Sequence, residues 1–430
     1  MAAQSPSLLR AVGPLSLTAI AINGMVGAGI FALPANVAAI VGTASPVAYL
    51  VSGAAVLLIA LCFAEAGSLF DGSGGPYLYA RAAFGPFIGF QAGWMYALNR
   101  ISAVAAISHT FASYLGYFWP GMAEGIGRSL TVTVAIALLT AINCAGVRPG
   151  VWAINFLTAG KLIPLAIFCL VGLFFLDARN FSFTTLPAPR ELQQASLLLI
   201  FAFGGFESAS IPGDEVIRPR RTIPLAILCG VGFVVVLYLT IQVVAMGTFE
   251  GLAKSTTPLA SAAARFLGPL GGMLLTVGAI LSTTGTNSAS VLTGSRMLYA
   301  LAEGGLLPRA LAGIHARSRT PMTAILVFSV VAWGLAVTGT FTQLAAVAAL
   351  SRLLFYVTTC LSVPVLRRKL PPAEDRFTLP GGMLIPVLAV VICAWLLTGS
   401  TLAQAGMLGA AILLGTLMFL MGRRATSVRS

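Results

Sequence analysis

The sequence predicts an all-α polytopic membrane protein, on the basis of its composition and of the length of its apolar segments. The 430 residues are 58% hydrophobic and 9% charged, whereas soluble domains carry about 25% charged residues. The apolar segments are long enough for α-helices to cross the hydrocarbon core of a bilayer, which takes about 20 residues. They do not alternate between polar and apolar residues, so a transmembrane β-barrel is excluded.

Glycines, prolines and charged residues divide the chain into twelve apolar segments, which predict twelve transmembrane helices. The predicted helices cover residues 14–40, 46–68, 86–115, 127–146, 151–176, 194–216, 222–247, 269–300, 321–339, 343–366, 383–401 and 403–421. No loop is long enough for a separate soluble domain, so we expect residues 1–430 to form one transmembrane domain in a lipid bilayer. The first apolar segment far exceeds the apolar part of a signal peptide, and no cleaved signal is expected.

The distribution of lysine and arginine predicts the orientation. Seventeen of these residues lie in loops on the side of the N-terminus, and five lie in the opposite loops. By the positive-inside rule, both termini are predicted to be cytoplasmic. Because the net charge of +13 follows alternate loops and forms no basic face, nucleic acid is not a predicted partner. The excess of arginine over lysine and the abundant alanine are typical of high-GC prokaryotes, which favours a bacterial plasma (inner) membrane.

Two of the predicted helices contain glycines in their interior. The first contains Met25-Val-Gly-Ala-Gly-Ile30, and the sixth contains Phe201-Ala-Phe-Gly-Gly-Phe-Glu207. Within hydrocarbon, backbone that leaves a helix is tolerated only where it packs in protein or lines a cavity. Two broken helices in corresponding halves predict a solute site near the bilayer midplane. Alternatively, Gly27 and Gly29 serve only the close packing of helices, which is our interpretation of Gly89-x-x-x-Gly93.

The same segments resemble the permeases of the amino acid–polyamine–organocation (APC) superfamily. Residues 23–34 resemble the first-helix signature of that family, and residues 203–207 followed by 215–224 resemble its sixth helix. Gly74-Gly-Pro-Tyr77 and Gly304-Gly-Leu-Leu-Pro308 agree with the family as well. The resemblance covers nearly the whole chain and implies a secondary active transporter of a small-molecule amino acid.

The resemblance also implies a LeuT-type fold with a 5+5 inverted repeat and broken helices 1 and 6. Helices 1–5 (about 14–176) and 6–10 (about 194–366) would form the two repeats, and helices 11 and 12 (about 383–421) would be peripheral. Alternating access would then come from rocking of helices 1, 2, 6 and 7 against helices 3, 4, 8 and 9. The protein is expected to be a monomer or a homodimer.

The two breaks predict a binding site for a zwitterionic α-amino acid. A half-helix that begins after the first break presents free N–H groups and positive partial charge, which suit a carboxylate. These N–H groups belong to Ala28, Gly29 and Ile30. Unwound carbonyl groups can accept hydrogen bonds from the ammonium, and we expect them at Met25, Phe201 and Gly204.

Comparison with the family adds substrate-site residues. Phe201 occupies the place of an aromatic gate, and Tyr96 aligns with a tyrosine that lines the same cavity, so both rings are candidate gates. Ala28 and Ser290 stand where the arginine/agmatine antiporter, which this chain resembles, has a serine and a tryptophan. Without that tryptophan, a guanidinium substrate loses a cation–π contact worth about 0.5–2 kcal/mol. We therefore expect a neutral or small α-amino acid, and an exchanger of cationic or other amino acids or amines is the alternative.

Lys161 lies inside the fifth predicted helix, where an ionisable side chain costs about 3 kcal/mol to insert. It resembles the fifth-helix lysine of proton-coupled permeases, whose ammonium takes the place of a sodium ion. The resemblance implies that it faces carbonyls of the first helix and the hydroxyls of Ser282 and Thr283. Because burial disfavours the charged form, its proton could leave and return during transport. The alternative is a permanently charged structural lysine.

Glu207, at the second break, resembles the glutamate of the arginine/agmatine antiporter and is a candidate for proton sensing at the substrate site. Alternatively, it is a structural partner of Arg100 or of unwound N–H groups. For Arg100 and Arg352, pairing with Glu207 or with helix-end carbonyls is favoured over contact with substrate. Glu65 is expected to reach interfacial water or a cytoplasmic arginine.

Protons are the predicted coupling ion, and neither a cofactor nor a metal is expected. The chain has two histidines and no phosphate-binding loop, so metal-dependent and ATP-driven activities lack their residues. Paired catalytic carboxylates and a Ser/His pair at plausible depth are missing as well, which disfavours an enzyme. A sensor that has the fold of a transporter but no flux is a remote alternative.

Overall fold

The described part of the chain is almost entirely helical. The computed structural model describes residues 12–70, 74–146, 151–181, 187–211, 216–370, 377–379 and 381–427. Within these residues, β-type pairing is limited to one isolated parallel bridge between Val12 and Val216. The predicted all-α class is therefore confirmed.

Fourteen α-helices follow one another in the described residues. They are α1 (Pro14–Met25), α2 (Ala28–Val41), α3 (Ser45–Ser68), α4 (Gly75–Phe84), α5 (Pro86–Leu115), α6 (Gly125–Ala145), α7 (Val151–Gly172), α8 (Pro189–Phe203), α9 (Pro219–Thr248), α10 (Pro258–Glu303), α11 (Met322–Thr338), α12 (Phe341–Lys369), α13 (Leu384–Thr398) and α14 (Leu402–Ser427). Five of them begin at a proline, whose fixed φ suits the first turn and whose missing N–H is not needed there.

Seven helical stretches among the described residues are long and apolar enough to cross a membrane. They are Ala28–Ser68, Gly125–Ala145, Leu157–Phe175, Pro219–Thr248, Pro258–Glu303, Phe341–Lys369 and Leu402–Gly422. Three shorter apolar helices accompany them, namely α1, α11 and α13. This pattern agrees with a polytopic membrane protein, while the count of twelve spans, the single-domain assignment and the inverted repeat stay predictions.

The first predicted helix is interrupted where its glycines indicated. The α1 helix ends at Met25 and α2 begins at Ala28, and Val26 and Gly27 between them have non-helical backbone. No side chain among the described residues caps the start of α2. Its first N–H groups therefore have no hydrogen-bond partner within the helix or from a cap.

The sixth predicted helix is interrupted as well, but its second half differs from the prediction. The α8 helix ends at Phe203, Gly204 is extended, and Gly205 has a φ of 125°. Residues Phe206–Ser210 then form a 3-10 helix.

The predicted segment continued to residue 216, but residues 212–215, including the motif residue Glu215, lie outside the described residues. Arg10, Arg148, Arg376 and Arg429, which contributed to the predicted orientation, also lie outside them.

Two other features depart from the predicted helix boundaries. Helix α4, which the sequence did not predict, is a ten-residue helix between α3 and α5, too short to be recognised as a membrane span. A helical segment that begins at Pro258 precedes the eighth predicted helix, and the second part of α10 starts after the non-helical Gly268, at the predicted residue 269. Gly268, with a φ of 67°, makes a kink at which the helix changes direction and continues.

The two breaks pack directly against each other. A Cβ atom on Gly24 would lie 2.8 Å from the carbonyl oxygen of Gly205, and one on Gly29 would lie 2.6 Å from the Cα of Ala202. Only glycine permits so close an approach of two backbones. The glycines around the first break thus serve close packing in addition to the interruption of the helix.

We expect Gly205→Ala to lower the thermal stability of the detergent-purified protein. The new Cβ would collide with the backbone of Gly24 and would sit on a residue with a φ of 125°, a strain of about 1–3 kcal/mol before the collision is counted. Gly334→Ala in α11 is the matched control, since no described atom lies within 4 Å of the methyl group that it would add. Equal melting temperatures for the two variants would contradict this account of the crossing.

Candidate substrate and coupling site

A buried cavity lies between the two helix breaks. It is lined by Gly24, Met25, Gly27, Ala28, Gly29, Arg100, Ala103, Ile107, Phe201, Gly204, Thr286, Ser290 and Arg352. The space open to the centres of water molecules is about 20 Å³, which is room for about one water molecule. An amino acid would therefore require the lining residues to move apart.

The cavity brings together about half of the predicted site residues. Those that line it are Met25, Ala28, Gly29, Phe201, Gly204 and Ser290. Those that lie outside the lining are Ile30, Tyr96, Lys161, Glu207, Ser282 and Thr283. The first set comes from the two breaks and from α10, and the second set is buried behind that lining.

The start of α2 is the strongest candidate for binding a carboxylate. Ala28 and Gly29 form its first turn and line the cavity. Gly27 at the N-cap has no side chain and also lines the cavity. A helix N-terminus beside a cavity can bind an anion, and binding of the substrate carboxylate at this position stays a prediction.

Two of the three carbonyl groups predicted to bind an ammonium already accept hydrogen bonds. The Tyr238 hydroxyl donates to the Met25 oxygen at 2.7 Å, and Arg352 Nη1 donates to the Phe201 oxygen at 3.1 Å. A carbonyl oxygen has two lone pairs, so a substrate ammonium would have to share these two acceptors. The sequence could not reveal Tyr238 as a competitor, since it lies in a different helix, α9.

Lys161 contacts the first break as the sequence predicted. Its Nζ donates to the carbonyl oxygens of Asn23 at 2.8 Å and of Val26 at 2.7 Å, and 3% of the residue is exposed. The Ser282 hydroxyl donates to the same Val26 oxygen at 3.4 Å. The ammonium therefore supplies hydrogen bonds that the interrupted helix does not make for itself.

Thr283 is placed differently from the expectation. Its hydroxyl donates to the carbonyl oxygens of Ala279 and Ile280 in its own helix, at 2.8 and 3.0 Å. Such bonds to the preceding turn are common for threonine in helices. The hydrogen bonds thus connect Ser282, and not Thr283, with the carbonyl that holds Lys161.

Glu207 is fully buried and surrounded by four donors. Its Oε1 lies 3.3 Å from Arg100 Nη2 and 3.7 Å from Arg352 Nε. Its Oε2 accepts from the backbone N–H of Gly205 at 2.8 Å and from the Tyr356 hydroxyl at 3.0 Å. These are the partners of the structural alternative, and the proton-sensing role stays a prediction.

Arg352 joins α12 to the end of α8. Its Nη1 donates to the carbonyl oxygens of Ile200 at 3.0 Å and of Phe201 at 3.1 Å, and its Nη2 donates to the side chain of Asn99 at 3.3 Å. The guanidinium lies against Gly204, where a Cβ atom would overlap it. Arg352 therefore binds the helix-end carbonyls that the interruption of α8 leaves unpaired.

Arg100 extends from α5 to the cavity. Its guanidinium carbon lies 4.8 Å from the centroid of the Tyr96 ring, so Tyr96 packs beneath the arginine and is not part of the lining. Sequence reasoning disfavoured substrate contact for Arg100 and Arg352, yet both line the cavity. The signal that could have located them was their position within apolar segments, which marks functional sites.

Phe201 is suited to a gating position. It lines the cavity, is 7% exposed, and meets the ring of Phe341 edge to face at a centroid distance of 6.0 Å.

Away from the cavity, Glu65 binds Arg367, with 2.6 Å between Oε2 and Nη2. The expected arginine partner of Glu65 is thus found at the end of α12.

Comparison with known proteins gives one family and many relatives. A family profile described as amino acid permease matches residues 12–421. The methylthioribose transporter of Bacillus subtilis is 27% identical over 91% of this chain and 88% of its own length. The branched-chain amino acid permease BcaP of the same organism is 25% identical, over 91% and 88%. The human large neutral amino acids transporter small subunit 2 is 29% identical, over 92% and 76%.

We expect Arg352→Met to destabilise the protein strongly. The substitution leaves the Ile200 and Phe201 carbonyls without their donor and removes one of the two cations beside buried Glu207; breaking a buried ion pair costs about 3–5 kcal/mol. Thermal unfolding in detergent is the measurement. Arg368→Met, at an exposed position of the same helix, should change the melting temperature little, and a comparable loss in both variants would contradict this role of Arg352.

Proposed function

We propose that this chain, which belongs to the amino acid permease family of the APC superfamily, is a secondary active amino acid transporter coupled to protons. As a member of that family it is an integral membrane transporter and not an enzyme. The observation that carries the proposal is the uncapped start of α2, which opens into a buried cavity between two helix breaks. A substrate carboxylate at this position would replace the missing cap.

The proposed substrate is a neutral or small α-amino acid. Among the described residues that line the cavity there is no Asp or Glu, whereas Arg100 and Arg352 are present. A cationic side chain would meet like charge there. The names of two relatives, the branched-chain permease and the large neutral amino acids transporter, favour a side chain without positive charge as well.

The proposed architecture is the LeuT-type fold in a bacterial inner membrane. Twelve membrane helices would include two inverted repeats of five, with both termini in the cytoplasm. The breaks between α1 and α2 and after α8 support this arrangement, because they lie at the positions that the repeat requires. Access would alternate as the helices that contain the breaks rock against α5 and its neighbours, with Phe201 closing over the cavity and Tyr96 supporting Arg100 beside it.

Proton coupling is proposed to run through Lys161. The ammonium is bound to the Asn23 and Val26 carbonyls of the first break. If those carbonyls move when the first break opens, the ammonium loses its acceptors in a buried environment that disfavours charge. Release of the proton would then be linked to the change of conformation, with the Ser282 hydroxyl as the neighbouring partner.

We expect Lys161→Ala to abolish proton-driven accumulation of substrate, since the variant lacks the group that would carry the proton. The measurement is uptake of labelled amino acids into proteoliposomes with and without a pH gradient, with alanine included. Lys254→Ala, at an exposed position, is the control and should accumulate substrate normally. Undiminished accumulation driven by the pH gradient in Lys161→Ala would refute the role.

An exchanger without net proton uptake is the second candidate. It is favoured by the two carbonyl acceptors of Lys161, at 2.8 and 2.7 Å, because such bonds stabilise a permanently charged lysine. In the same proteoliposomes, uptake that requires internal substrate but is indifferent to the pH gradient would favour exchange. Binding of amino acids without any transport would favour the remaining alternative, a sensor that has the fold of a transporter.

Glu207 is proposed to take up a proton during the cycle, and we expect Glu207→Gln to shift the pH dependence of transport. Glutamine resembles the protonated acid, so a step that requires protonation of Glu207 would no longer depend on acidic pH. The initial rate of uptake as a function of pH is the measurement. Glu250→Gln, at an exposed position, controls for the loss of one carboxylate. A pH profile equal to that of the wild type would reject the sensing role and leave the structural one.

A further inference from the structure

We propose that Arg100 forms a subsite for an oxygen atom in the side chain of the substrate. The transporter would then select short amino acids whose side chains end in a carboxylate, amide or hydroxyl oxygen, such as aspartate, asparagine, serine and threonine. This inference rests on the proposed function and specifies its substrate. It concerns the side chain of the substrate, whereas the start of α2 is proposed to bind the carboxylate.

The first argument is the state of the Arg100 side chain. Its Nε is buried and has no hydrogen-bond partner among the described residues, as is also true of the Nε of Arg352. The side chain is 10% exposed and lines the cavity. A guanidinium carries five donors in a planar fork, and leaving a buried donor unpaired has a cost in free energy. A ligand with an acceptor oxygen would remove that cost.

The second argument is the balance of buried charge. Arg100 and Arg352 share one carboxylate, that of Glu207, at distances of 3.3 and 3.7 Å. Arg352 is also held by the carbonyl oxygens of Ile200 and Phe201. The hydrogen bonds of Arg100 to the described residues include no such carbonyl. Two guanidinium groups thus share one carboxylate beside the cavity, and Arg100 is the one with fewer other acceptors. Charge complementarity therefore favours an anionic or strongly accepting group and opposes a cationic one.

The third argument is the remaining polar lining. The Thr286 Oγ1 is buried without a hydrogen-bond partner among the described residues, and Ser290 adds a second hydroxyl to the wall. Both hydroxyls can donate to an oxygen on the substrate. Ile107 and Phe201 limit the space beside them. The small volume of the cavity and its donors, the Arg100 guanidinium and the two hydroxyls, fit a short substrate side chain with one terminal oxygen.

The test compares amino acids of equal shape in the wild-type protein. Asparagine and aspartate are matched with leucine, and threonine is matched with valine. Competition with labelled alanine for uptake into proteoliposomes gives the apparent affinity of each. Since a hydrogen bond to a charged group contributes about 1.5–3 kcal/mol, we expect the oxygen-bearing member of each pair to compete about tenfold better or more. Asparagine against aspartate distinguishes an amide from a carboxylate.

Arg100→Gln should reduce these ratios towards one, because the variant lacks the guanidinium that would bind the side-chain oxygen. Arg179→Gln, which removes an arginine with a 90% exposed side chain, is the matched control and should keep the ratios of the wild type. Arg100→Lys should restore part of the preference for aspartate, because it keeps the charge but loses the planar fork. If Arg100→Gln does not fold, the ratios in the wild type and in Arg100→Lys decide the question.

The outcomes separate this inference from the proposed function. Absence of transport for every amino acid, including alanine, would overturn the proposed function. Transport of alanine with ratios near one in the matched pairs would overturn the inference alone. A uniform loss of affinity for all amino acids in Arg100→Gln would also overturn it, since Arg100 would then bind the carboxylate that all of them share.

Discussion

Backbone that leaves a helix inside a membrane finds no water to bind, and the architecture of this protein follows from that constraint. Each break is held by side chains from other helices. Lys161 from α7 and Tyr238 from α9 donate to carbonyl oxygens of the first break, and Arg352 from α12 donates to the carbonyls that end α8. The donors thus tie the two interruptions to three neighbouring helices, whereas the start of α2 has no capping side chain among the described residues.

The same bonds explain why the protein tolerates ionisable groups in apolar segments. Glu207 is paired with two guanidinium groups, a tyrosine hydroxyl and a backbone N–H, so its charge is balanced by neighbours instead of by solvent. Buried charges of this kind are costly unless their hydrogen bonds are complete. In both arginines of the group the Nε is buried without a hydrogen-bond partner among the described residues, and both side chains line the cavity.

The sequence predicts the breaks well because their cause is local. Gly27 and its neighbours weaken a helix whatever surrounds it, and the interruption lies where they do. The orientation of Thr283 and the position of Tyr96 below Arg100 depend on helix contacts that no single segment contains. Arg352 and its acceptor at the end of α8 are 152 positions apart in the chain. Periodicity and composition describe local segments, so they do not predict this hydrogen bond. A charged residue in an apolar segment indicates that a partner exists, and the structure is needed to identify the partner.

The absence of a side chain at position 204 restricts how relatives of this protein can diverge. Because the guanidinium of Arg352 occupies the space of a Cβ atom on residue 204, any residue other than glycine at this position would displace the arginine side chain. Either order of two mutations therefore passes through a destabilised intermediate. Loss of the arginine first leaves the Ile200 and Phe201 carbonyls without their donor, and a side chain at 204 first clashes with the guanidinium. Among homologous sequences, the pair glycine and arginine should accordingly be inherited together.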